Sequence, residues 1–101
     1  MQVLINKSGN SAEIELSEKF TFSDNLIFKD ILNLAEEPDI TSITLNVHKL
    51  EYADSSALGM LMLLIDAAKK RNFTVSIRGL GGQIEKLLKI SKIDSFFNII
   101  G

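Results

Sequence analysis

The 101-residue chain contains no cysteine and no tryptophan, and only one proline, one histidine and one tyrosine. Without cysteine there can be no disulfide, no thiolate nucleophile and no Cys-based zinc site. That absence suits a reducing cytoplasm. The lone histidine, His48, is the only imidazole available as the base of a serine hydrolase. No Gly-x-Ser-x-Gly elbow accompanies it, and no ligand cluster points to metal catalysis. His48 is therefore read as polar surface on a loop, and the chain is not expected to be an enzyme or to need a cofactor.

Basic excess is also missing. Lys and Arg number 11 against 13 Asp and Glu, giving a formal charge of -2 and a pI near 5.3. A nucleic-acid binder would show a basic stripe. The densest basic run, Lys69-Lys70-Arg71, reads as a solvated helix end, where cations are favoured. The longest apolar run, Ala57 to Ile65, falls far short of the roughly 20 residues needed to cross a bilayer. The start, Met1-Gln2-Val3-Leu4-Ile5-Asn6, turns polar too soon for a signal peptide. The expectation is a cytoplasmic protein with no membrane or nucleic-acid partner.

Hydrophobic residues make up 46% and charged residues 24%, enough to form one core over residues 1–101. Residues 2–7 and 12–17 read as strands joined at Ser8-Gly9-Asn10-Ser11. The alternation Ala12-Glu13-Ile14-Glu15-Leu16 implies one solvated face. Residues 18–22 read as a phenylalanine-rich connection. Ser23 or Asp24 reads as an N-cap for a helix with Ile27, Ile31, Leu34 and Ala35 at helical spacing, closed by Pro38.

Residues 42–47 form a β-branched strand, with a loop from His48 to Ala53. The strongest helix signal spans 56–70. A strand follows at 73–78, then a Gly79-Leu80-Gly81-Gly82 loop and a helix marked by Ile84, Leu87 and Leu88. The apolar tail, with Ile93, Phe96, Phe97, Ile99 and Ile100, is expected to pack back as a short helix or turn. Strand–helix–strand order gives parallel neighbours and the first hairpin an antiparallel pair, so the sheet is mixed.

Function gathers where such strands end and helices begin, and Asp54-Ser55-Ser56 lies there. On the following helix Ala57, Leu61, Leu64 and Ala68 share the core face. Gly59, Met62, Leu63, Asp66 and Lys70 fall on the other side. Cover by the same chain and a partner-binding surface account for them equally well on the helical wheel. Gly59 favours the partner, because mid-helix glycine costs about 1 kcal/mol and close approach of another backbone would explain it. Asp54 or Ser55 caps the helix. A phosphate on Ser55 would suit the helix N-terminus yet add about -1.5 to -2 charges to the surface. A partner shaped for a neutral hydroxyl would be repelled. Gly79–Gly82 could cradle phosphates but lacks both nucleotide fingerprints, so a strand-to-helix turn explains it better.

Asp54-Ser55-Ser56-Ala57-Leu58-Gly59 resembles the signature of STAS domains, and the surrounding strand and helix context resembles the family from about 40 to 97. The resemblance implies a small STAS-like α/β domain with a mixed four- to five-stranded sheet and three to four helices. The stand-alone members it resembles are anti-anti-sigma factors. For such a protein it implies phosphorylation at Ser55, with Ser56 as the alternative. It also implies partner contacts by Asp54, Ser55, Ser56, Gly59, Met62, Leu63 and Asp66. The implied partners are an anti-sigma factor that is a serine kinase of the GHKL type, and a metal-dependent serine phosphatase. Two departures stand out: Ser17–Phe22 lacks the glycine common after the second strand, and Ala57 replaces a glycine found in some members. The second resembles a branch with non-sigma outputs.

Overall fold

The computed structural model describes residues 1–100. Strands β1 (Gln2–Ser8) and β2 (Ser11–Phe20) form a hairpin through Gly9-Asn10. Gly9 has a φ of 60°, the left-handed backbone that a two-residue hairpin turn requires. Then come α1 (Asn25–Glu36), β3 (Ser42–Ala53), α2 (Ser55–Lys70), β4 (Ser76–Arg78), α3 (Gly82–Ile90) and β5 (Asn98–Ile100). Short 3₁₀ turns occupy Phe22–Asp24 and Ile93–Phe96.

The five strands lie in sequential order, β1-β2-β3-β4-β5. Only β1 and β2 are antiparallel; every other neighbouring pair is parallel. Right-handed crossovers stepping always in one direction put every helix on the same side of the sheet. Ala12, Ile14, Leu16, Ile43, Leu45, Val47 and Ile77 point to that side and are buried. The other side carries polar pairs: Arg78 with Glu13, Lys49 with Glu15, and Asn46 with Glu13. The sheet is thus mostly parallel yet patterned like an antiparallel one, apolar in and polar out.

Several elements run differently from the sequence reading. β2 continues through the expected 18–22 connection to Phe20, and β3 continues through the expected His48–Ala53 loop. Each extension is the partner of the other: Ser17 pairs with Lys49, Glu18 with Leu50 and Phe20 with Ala53, across two register shifts. Glu18 takes a φ of 72° at one of them. Phe20 is buried and stacks on Phe28, ring centroids 5.1 Å apart. His48 is therefore on a strand and not on a loop, though it is exposed.

β4 is shorter than the expected 73–78. The amides of Arg71, Asn72 and Phe73 close the α2 carbonyls at Ala68 and Lys69, so Phe73 belongs to the helix exit. The basic run is also corrected. Lys69 and Lys70 are exposed, but Arg71 donates to the carbonyls of Ala35, Ile40 and Pro38 and lies over the Phe73 ring. The tail forms the expected short turn, with Ile93 and Phe97 buried, and adds a fifth strand as well. Asp24 stands at the α1 N-cap position without bonding that helix's amides; its carboxylate takes the Thr21 N–H and the Met1 amine instead.

Candidate modification and docking site

β3 ends at Ala53 and α2 begins at Ser55, so Asp54 alone makes the turn. Its extended backbone and short carboxylate suit an N-cap. Oδ1 accepts the Ala57 N–H at 3.1 Å, while Oδ2 accepts the Phe22 N–H at 3.4 Å. The Asp54 N–H donates to the Phe20 carbonyl at 3.1 Å. One residue thereby ties the helix start to the end of β2.

Ser55 is the first helical residue, one position earlier than the sequence pattern set the boundary, and it is exposed. Ser56 beside it is half-buried. From Ser55, the exposed residues Gly59, Met62, Leu63 and Asp66 follow at helical spacing along one face of α2. The opposite face, Ala57, Leu61, Leu64 and Ala68, is buried, as the wheel requires. Met62 is 37% and Leu63 56% exposed, so neither is closed off by the rest of the described chain. Nor does any approach Gly59: a Cβ built there meets nothing within 4 Å. The close backbone that would account for this glycine is not supplied from within the described residues. Leu63 and Asp66 also line an open groove of about 360 Å³ between α1 and α2, shared with Leu32, Glu36, Lys70 and Arg71.

Two large exposed apolar residues missing from the sequence reading lie where β2 leads into α1. Phe22 is 67% exposed, and its amide rests on the Asp54 carboxylate. Leu26, 83% exposed, follows on the first turn of α1. A signal for Leu26 existed: it falls about 160° from Phe28 on the α1 wheel, off the buried stripe. Phe22 had none, because only the extension of β2 fixes where it emerges.

The glycine loop has a packing explanation. A Cβ on Gly79 would stand 2.8 Å from the His48 Cβ, and its φ is 78°. Gly82 opens α3 at a φ of 57°. Among the described residues no three His, Asp or Glu side chains gather as a metal site, and no helix is long and apolar enough to span a membrane.

A strand–aspartate–helix turn on a mixed sheet, with every helix on one side, defines a domain of the STAS class. The chain belongs to that family: residues 3–100 match the model described as "Mlab, STAS domain". A STAS-domain containing protein of Pseudomonas aeruginosa (strain UCBPP-PA14) is 32% identical over 98 residues, 95% of this chain and 94% of that one. Among solved structures, the anti-sigma factor antagonist SpoIIAA in its unphosphorylated form superposes with a TM-score of 0.84 at 14% identity, covering 99% of this chain and 89% of that one. The Bacillus cell fate determinant SpoIIAA in its phosphorylated form gives 0.78 at 14% identity, covering 99% and 92%. An anti-sigma factor antagonist from Mycobacterium paratuberculosis gives 0.82 at 10% identity, covering 97% and 83%. The fold is thus the SpoIIAA-like one.

Proposed function

We propose that this protein is a phosphorylation-regulated interaction switch of the anti-sigma-factor-antagonist kind, working in the cytoplasm. Unmodified, the α2 stripe docks an anti-sigma factor that is also a GHKL-type serine kinase, and that partner releases its target. Phosphate on Ser55 blocks docking, and a metal-dependent serine phosphatase reverses the block. The carrying observation is the continuity of the exposed stripe from the Ser55 hydroxyl through Gly59 to Met62, Leu63 and Asp66. Phe22, whose amide rests on the Asp54 carboxylate, adds exposed apolar area beside the start of that stripe.

The charge argument follows from placement. At the first position of α2 a phosphate meets unpaired helix amides and the positive end of the helix dipole, so the fold tolerates it. SpoIIAA, which shares the fold, has been solved in both phosphorylated and unphosphorylated forms. A docked partner would instead face about two added negative charges beside Asp54. In this reading Ser55 receives phosphate and turns over nothing; ester hydrolysis abolished by Ser55→Ala would contradict it.

The test is a bait experiment in the host cell, with Ser55→Ala and Ser55→Asp forms. The alanine form is expected to retain a kinase-fold partner and the aspartate form to lose it. Equal recovery by both would overturn the switch. Met62→Asp or Leu63→Asp should weaken capture while leaving the thermal transition in place. A second reading keeps the same mechanism and changes the output: Ala57 stands where some members have glycine, and in this reading the target set free acts in exopolysaccharide, biofilm or second-messenger control. The identity of the protein freed on docking separates the two.

A further inference from the structure

Gln83 is the second residue of α3 and is exposed. Its side-chain amide nevertheless meets both backbone groups of Ala53. The Ala53 N–H donates to Oε1 at 3.0 Å, and Nε2 donates to the Ala53 carbonyl at 2.9 Å. A neighbouring strand would make this pair of bonds. β4 cannot reach that far, because it pairs only with Thr44, Leu45 and Asn46 and ends at Arg78. Beyond Asn46, no strand among the described residues lies beside the β4-side edge of β3. Gly79 packs against His48 there, and Gln83 closes the far end.

Ala53 is the residue before the Asp54 turn. On the other side of that turn the Asp54 N–H is fixed to the Phe20 carbonyl at 3.1 Å. The approach to Ser55 is thus held from β2 on one flank and from α3 on the other. We propose that Gln83 is a positioning residue for phosphoryl transfer at Ser55: by standing in for a strand it fixes the end of β3, and so the direction in which the hydroxyl is presented. The proposal rests on Ser55 being the phosphate acceptor. Transfer requires an in-line approach to the phosphorus, and a misplacement of about 1 Å can cost on the order of 100-fold in rate. With the amide removed, the N–H and C=O of the buried Ala53 lose these partners and the turn samples several orientations.

The test compares wild type with Gln83→Met, which keeps the length and loses both polar atoms. Since Gln83 is exposed, the variant unpacks no core and should fold. Amide exchange at Ala53 is expected to quicken at least about tenfold. With the kinase recovered by the Ser55→Ala bait, kcat should fall about tenfold at unchanged KM. In Gln83→Glu an ionised carboxylate faces the Ala53 carbonyl, while the protonated acid can donate again. Its rate relative to wild type should therefore rise as the pH is lowered. A change confined to KM would make Gln83 a docking contact and overturn the proposal. Unchanged kcat in Gln83→Met would do the same while leaving the phosphoswitch standing. Wild type left unlabelled at residue 55 would remove the phosphoswitch itself and the proposal with it.

Discussion

Asp54 and Ser55 are adjacent, but their side chains have separate work. The Asp54 carboxylate is engaged by the Ala57 and Phe22 amides, whereas Ser55 faces solvent. Residue order alone left the cap to Asp54 or Ser55, since both residue types serve there; the structure gives it to Asp54 and makes Ser55 the first helical residue. Gly59 supports a sharper expectation. A Cβ there meets open space, so Gly59→Ala should raise stability by about 1 kcal/mol through helix propensity alone. The same substitution should weaken partner capture, since it pushes a partner's backbone away. Chemical denaturation and the bait assay, run on one preparation, check both halves. A variant that is more stable and binds as well as wild type would leave Gly59 without a docking role.

At the scale of elements, the joints were harder to foresee than the elements themselves. Arg71 shows why. Its neighbours Lys69 and Lys70 are solvated as a helix end suggests, yet its guanidinium gathers three carbonyls from the end of α1 and the connection to β3. Those carbonyls lie more than 30 positions away in the chain, so no local pattern announces them. Lysine can supply one point charge but not the planar fork. Arg71→Lys should therefore cost about 2 kcal/mol, read as a shift of the denaturation midpoint at unchanged slope. The extended β2 and β3 teach the same lesson. Each carries a stretch that looks like a connection until the other lies beside it, and then Phe20, Leu50 and Ala53 become buried strand positions. Phe22 enters the candidate surface only through that extension.

Across the whole molecule the two sides of the sheet should respond very differently to change. Leu45 is fully buried on the helix side, while Thr44 beside it in the strand is half-buried on the open side. Leu45→Ala should cost about 2–5 kcal/mol and Thr44→Ala about 0.5 kcal/mol or less, measured by equilibrium unfolding. Similar costs at both positions would mean that the second side is covered too. The mixed sheet, the three α-helices, the buried stripe of α2 and the exposed serine at its start could all be inferred from residue order. Periodicity and capping act within a few positions of the chain, and nothing distant is needed to compute them. Strand lengths, the anchorage of Arg71 and Gln83, and the emergence of Phe22 came only with the assembled fold. Each depends on which backbone groups are left unpaired once neighbouring elements meet, and segments far apart in the chain must share space before that question has an answer.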